Sequence, residues 1–273
     1  MNMKNYARIF IIFLFISFIS AQTYVPDDNF EQALIDLGYD DVLDDYVITD
    51  SINTVTTLDV SNDSISDLTG IEGFIALTYL NCGDNQLDSL DVSNNTALTQ
   101  LWCRTNQLTS LDVSNNTALT VLDCHYNDLT SLDVSSNSAL TDLRCYNNQL
   151  TSLDLSSNTA LISLSNHHNQ LDSLDVSSNT ALTTLHCGNN QLDTLDVSNN
   201  TALTNLYCND NQLTSLDLSS NTALTELYCY TNQLDSLDVS SNTELTKLIC
   251  GNNSLASLDL SNNTDLTELH FGV

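Results

Sequence analysis

Residues 77–97 read LTYLNCGDNQLDSLDVSNNTA, and this 21-residue unit recurs to the end of the chain. The units begin at Leu77, Leu98, Leu119, Leu140, Leu161, Leu182, Leu203, Leu224, Leu245 and Leu266, the last one cut short at Val273. Each is nearly doubled within itself. Leu77-x-x-Leu80-x-Cys82-x-x-Asn85 is followed ten residues on by Leu87-x-x-Leu90-x-Val92-x-x-Asn95. A fixed period of this length belongs to a solenoid, in which each turn of chain stacks on the next. In Leu80–Asn81–Cys82 and in Leu90–Asp91–Val92, successive side chains alternate between two faces, as strands require. The spacing therefore predicts a β-rich solenoid with two short parallel sheets, one strand of each per turn. Ten or eleven residues per half-unit leave no length for a helix on the far side.

The pattern LxxLxCxxNxL over residues 55–273 resembles the leucine-rich-repeat family. Its nested form, LxxLxCxxNxLxxLDVSxNTA, is similar to the IRREKO-type class, and the layout resembles exported leucine-rich-repeat proteins of the Bacteroidetes type. That resemblance implies a curved binding scaffold for a protein or a glycan, with the first strand of each unit on the concave face. It carries no catalytic residues over.

Outside the regular array, three segments differ. Residues 1–21 combine Lys4 and Arg8 with the apolar run IFIIFLFISFIS and the small Ala21, which predicts an export signal too short to span a bilayer securely. Residues 22–54 read as an N-terminal cap with a helix: Asp28 and Glu31 have capping-box spacing, Phe30, Leu34 and Leu37 share a face, and Gly38 ends it. Such a cap protects the first strand edge. Its loop YDDVLDD lacks a central glycine and matches a calcium loop poorly. Residues 55–76 form an entry turn one residue longer than the rest. At the other end LTELHFGV stops within a unit, leaving an edge at Phe271 open to homo-association.

The chain has 35 acidic and five basic residues; without residues 1–21 only Arg104, Arg144 and Lys247 remain basic, a formal charge of 3 − 35 = −32. Such a surface repels nucleic acid and anionic membranes and attracts cations or basic partners. Nothing after the signal is apolar enough for membrane insertion.

Cys82, Cys103, Cys124, Cys145, Cys187, Cys208, Cys229 and Cys250 occupy one place in the unit, with Asn166 and Phe271 as exceptions. An even count in an exported chain invites disulfides. Turns about 4.8 Å apart with parallel side chains do not suit sulfurs that must converge, so free buried thiols are expected, and no zinc site. The asparagines at 85 through 253 and at 95 through 263 fall where the chain bends, which predicts ladders of amides bonding the backbone of adjacent turns.

The two strands differ in what they expose. On the second, the outward residue is aspartate in all nine complete units from Asp91 to Asp259, flanked by Ser or Thr. Two readings fit: a solvated face that resists aggregation, or carboxylates bridged by calcium, the one cofactor the sequence admits. On the first strand the outward residues, at the third, fifth and seventh places with the eighth at the rim, vary from turn to turn. They carry every basic residue of the array, every histidine, the one tryptophan and the array's tyrosines. Trp, Tyr and Arg bury much area while keeping a polar handle, which is why they dominate binding surfaces. The candidate ligand-binding residues are Trp102, Arg104, Asp123, His125, Tyr126, Arg144, Tyr146, His167, His186, Tyr207, Tyr228 and Tyr230. The partner expected is a protein or a glycan. His167, His168 and His186 also sit close enough in register to raise transition-metal binding. No HExxH, phosphate loop or nucleophile spacing beyond repeat chance supports an enzyme. A hydrolase-associated module has only the irregular LISLSNHHNQ (161–170) in its favour. A self-assembling surface protein with a cation-binding acidic ladder is the structural alternative.

Overall fold

A computed structural model describes residues 20–272, so the predicted export signal falls outside the described residues except for its last two positions. The chain starts with β1 (Gln22–Tyr24), α1 (Asp28–Asp36), β2 (Tyr46–Ile48) and α2 (Thr49–Ile52). β1 and β2 form an antiparallel pair that the sequence pattern did not announce. The helix α1 forms where expected but is capped differently. Asp27, not Asp28, is the N-cap, accepting from the amides of Asn29 and Phe30 at 3.0 Å. Glu31 leaves the helix surface altogether: it is fully buried, and its Oε1 accepts from the amides of Asp44 and Tyr46 at 2.9 and 3.0 Å. A carboxylate that can close a distant loop with two backbone donors gains more than one returning to its own N-cap. Gly38, at φ +79°, ends the helix; its amide reaches Ile35 O and that of Tyr39 reaches Leu34 O. Phe30 and Leu34 are buried as expected, whereas Leu37 is exposed. Asp27 also fastens the cap to the array: its Oδ2 accepts from Ser66 Oγ at 2.7 Å and from the amides of Ser66 and Asp67.

The array contributes β3 (Thr57–Asp59), β4 (Tyr79–Asn81), β5 (Gln100–Trp102), β6 (Val121–Asp123) and β7 (Asp142–Arg144). It continues through β8 (Ser163–Ser165), β9 (Thr184–His186), β10 (Asn205–Tyr207), β11 (Glu226–Tyr228), β12 (Lys247–Ile249) and β13 (Glu268–His270). Together they make one 11-stranded parallel sheet in strict chain order. Equivalent residues pair throughout, as in Leu101↔Leu122 and Trp102↔Asp123, so each place in the unit becomes a column. The longer entry turn appears as the pairing Thr57↔Tyr79.

The second sheet is reduced. Along the LDV segments only an isolated parallel bridge, Asp91↔Asp112, forms among the described residues. The reason is local. Each aspartate takes the amide two residues on, Ser93 N to Asp91 Oδ1 at 2.9 Å and likewise through Ser261 to Asp259, turning the chain before a ladder can extend. One 3-10 turn, Ile71–Gly73, is the helical element of the described array.

The core is a single stack. In the first unit Leu77, Leu80, Cys82, Leu87 and Val92 are fully buried, and the same places are buried in later units as far as Cys250, beyond which Leu255, Leu260 and Leu266 are only partly buried. Each such leucine contributes roughly 1.5–3 kcal/mol over an exposed one. The eight cysteines are free and buried. Burial pushes the Cys145 and Cys187 thiols up to about 12, so they stay protonated fillers.

The asparagine ladders form. Asn106 Nδ2 donates to Cys82 O of the preceding turn and to Cys103 O and Arg104 O of its own, while its Oδ1 accepts from Leu87 N at 3.0 Å. In the second column Asn116 Nδ2 donates to Val92 O and Asn95 O, both at 3.0 Å.

Candidate functional site

Immediately after each strand the chain turns through a residue with positive φ: Asp84 at 57°, Thr105 at 51°, Tyr126 at 51°, His168 at 52° and their equivalents to Asn252. Left-handed backbone is costly for residues other than Gly, Asn and Asp. It recurs because the chain must bend sharply for the asparagine that follows to reach the carbonyls two and three residues before it, as Asn106 does those of Arg104 and Cys103. The frequency of Asp and Asn in that column is the sequence signal for it. This geometry places Tyr126 and His168 at the rim of the sheet; the Tyr126 side chain is exposed.

The outward residues of the sheet assemble into three connected segments. At the N-terminal end, Trp102 lies against Tyr79 with ring centres 6.3 Å apart. The guanidinium carbons of Arg104 and Arg144 stand 5.4 and 5.8 Å from its ring centre. Arg104 pairs with Asp84 at 3.3 Å, and Arg144 binds Asp142 through Nη2 at 2.7 Å and Nε at 3.3 Å. The Asp142 hydrogen bonds raise the Arg144 pKa further, opposed by partial burial. The indole Nε1 of Trp102 is buried with no partner within the protein.

The central segment is a ladder of rings. His125 stacks on Tyr146 at 4.2 Å and 10°, Tyr146 on His167 at 4.3 Å and 12°, and His167 on His186 at 3.9 Å and 20°. It continues tilted through His186–Tyr207 at 4.9 Å and Tyr207–Tyr228 at 4.7 Å. Six rings from six consecutive turns thus make one ridge. The ridge is diagonal: it begins in the seventh place of the unit and ends in the fifth. The crossing occurs where Gly188 offers no side chain to follow His167 in its own column and the small Ser165 precedes His186 in the other. Asn209 folds over Gly188 so closely that a Cβ there would lie 2.9 Å from its Oδ1.

Towards the C-terminus polar bonds take over. Tyr207 Oη donates to Glu226 at 2.8 Å, Asn209 Nδ2 donates to Tyr230 Oη at 3.0 Å, and Lys247 pairs with Glu268 at 2.9 Å. Burial, then the bond to Glu226, pushes the Tyr207 hydroxyl up to about 12.

Eleven of the twelve predicted residues contribute to this surface; Asp123 does not. It is 1 % exposed and is consumed internally, bonded to His125 Nδ1 and 3.8 Å from Arg144 Nη1. Tyr230 lies outside the ring ladder, and Tyr126 touches it edge-on at His125 and Tyr146. Tyr79, His168, Glu226 and Lys247 join the surface although the sequence reading did not select them. The histidines do not converge as metal ligands. His167 and His186 meet face to face, and among the described residues no group of three or more His, Cys, Asp or Glu side chains is placed to hold a metal.

The opposite face is uniform. Hydrogen bonds from the serine two residues on hold the carboxyl groups of Asp112, Asp133 and Asp154 below the ordinary value. These serines offset the mutual repulsion of the column. Grooves lie over this face; one of about 750 Å³ includes Leu90, Asp91, Ser93, Ser110 and Asp112 in its lining.

The leucine-rich-repeat model in two copies matches residues 201–242. Internalin J of Listeria monocytogenes is 44 % identical over 77 residues, 28 % of this chain and 8 % of that protein. The solved functional domain of internalin J, which includes a cysteine ladder, is 38 % identical with a TM-score of 0.78. That likeness covers 93 % of this chain and 62 % of that one. In fold the chain is a leucine-rich-repeat solenoid, similar to the solved domain of internalin J. A solved leucine-rich-repeat protein of Leptospira interrogans, 23 % identical with a TM-score of 0.69 over 80 % of this chain and 58 % of that one, shares the fold. The solenoid therefore spans less than two thirds of the solved domain of internalin J. In this chain eight free thiols stand in one buried column of the repeat.

Proposed function

We propose that this leucine-rich-repeat solenoid is an exported adhesion protein of the nested 21-residue class that recognises a protein partner through the variable strip. One observation carries the reading: the side chains that differ from turn to turn gather into a continuous aromatic ridge on one face, while the other face repeats a single residue. The ridge also favours protein over glycan. A sugar stacks on an open ring face, and here the faces of Tyr146 and His167 are covered by neighbouring rings on both sides. Trp102 has guanidinium groups near its ring. What remains exposed is ring edges, hydroxyls and imidazole nitrogens, which suit the mixed polar and apolar contacts of a protein interface. The strip is also the least acidic part of a strongly acidic chain, so the matching partner has a neutral contact surface with a basic rim that steers it.

A screen against protein and glycan arrays tests this. The expected hits are basic-rimmed proteins, weakened at least about tenfold by the double substitution Trp102→Ala/Arg104→Ala and by Tyr146→Ala. Glycan hits, or protein hits indifferent to both variants, would move the site or change its class.

A further inference from the structure

The turn formed by residues 161–181 differs from its neighbours in three independent ways. Asn166 stands in the cysteine column. It is fully buried, and neither its Nδ2 nor its Oδ1 has a partner. The flanking thiols of Cys145 and Cys187 demand none, whereas an unpartnered buried amide is among the costlier defects a core can carry.

Ile162 breaks a second column. Threonine hydroxyls at this place bind the carbonyl of the preceding turn, as Thr141 Oγ1 does Thr120 O at 3.1 Å and Thr204 Oγ1 does Thr183 O at 3.1 Å. Ile162 cannot, and its side chain is 46 % exposed.

The third difference is His167. Its ring is clasped between Tyr146 of the preceding turn and His186 of the following one, with His168 against its edge. Its Nδ1 is buried without a partner. Beyond these lie His125 and Tyr207, and the nearby charges of Asp123 and Arg144 are already paired with one another and with His125 and Asp142. A proton on Nδ1 would find no acceptor.

In a quasi-one-dimensional array each turn is held only by its neighbours, so opening concentrates where a turn and its two contacts are weakest. We propose that the turn 161–181 is a built-in, acid-sensitive opening point of the solenoid, at which the array parts into two blocks and the ring ladder breaks between Tyr146 and His186. This holds whether or not the strip binds a protein. Burial first, and then His186, His168 and His125, lower the His167 pKa to about 3 from an ordinary 6.5. The closed turn therefore keeps the ring neutral, the open turn lets it protonate below about pH 6.5, and acid favours opening.

Native-state hydrogen exchange of the full chain, read by mass spectrometry, tests the proposal. At pH 7, peptides from 161–181 should be about tenfold less protected than those from 119–139 or 203–223. Asn166→Cys restores the repeat's own residue, poses no folding risk, and should close most of that gap; Ile162→Thr should close part of it. After correction for intrinsic exchange chemistry, the gap should widen at pH 5 in the natural protein. It should stay constant in His167→Phe, which keeps a ring in the ladder. Equal protection along the array, an unchanged gap in Asn166→Cys, or a gap indifferent to pH in the natural protein would each overturn it.

Discussion

The two faces of this solenoid are built on the same backbone period, yet they obey opposite rules. On the LDV face every complete unit presents aspartate, and each aspartate is answered by the serine two residues on, so the charge problem is solved locally and identically in every turn. On the sheet face no two consecutive turns present the same set of residues, and many side chains are answered by an unlike neighbour in the next turn, ring on ring or tyrosine to glutamate. Local solutions can be copied without limit. Neighbour-dependent ones cannot, and this freedom suits the sheet face to recognition.

Breaking the scaffold beneath both faces should have the largest effect. Asn148→Ala removes donors to Cys124 O, Cys145 O and Tyr146 O and the acceptor for Leu129 N. With buried backbone groups left unpaired, roughly 3 kcal/mol should be lost in urea denaturation. Acid separates the faces next. Because the folded state lowers the His167 and His186 pKa, their contribution is complete above about pH 6.5 and declines as pH falls below it, for His167 down to about 3. The aspartates, lowered as well, contribute above about 3.9 and fail only at still lower pH. The unfolding free energy from urea denaturation should therefore fall between pH 7 and 5 in the natural protein, by about 1 kcal/mol after allowance for the partial exposure of the rings. The fall should be smaller in His167→Phe; an equal fall in both would place the sensitivity elsewhere. Trp102→Ala should change stability by about 1 kcal/mol or less while weakening binding, since the ring is only half-buried. The smallest effect belongs to the acidic face. Millimolar calcium should raise the melting temperature no more than sodium at matched ionic strength, because one oxygen of each carboxylate is already bound by serine. A distinctly larger calcium shift would identify bridging between turns.

Much of the molecule was legible in its letters because a repeat tests each reading many times over. The leucine, cysteine and asparagine columns had to be inward or at bends, since a single side-chain role fits all their occurrences. Asp123 was misjudged because alternation places it outward; only its enclosure by His125, Arg144 and the neighbouring strand shows it buried. The N-cap was misplaced by one residue because Asp27 and Asp28 are indistinguishable until Ser66, 39 positions away, binds Asp27. The second sheet was overestimated because a strand pattern does not reveal that the next serine amide has been diverted to an aspartate.

By itself, then, the sequence determined the period, the composition of the core and the identity of the two faces. These follow from interactions between equivalent residues one turn apart, which a repeat states explicitly. The tertiary structure alone decided the diagonal course of the ring ladder, the approach of Arg104 and Arg144 to Trp102 and the unpartnered amide of Asn166. Those depend on which unlike side chains meet across turns and on the space left by Gly188 and Ser165, and packing of that kind is set by three-dimensional contact rather than by position in the repeat.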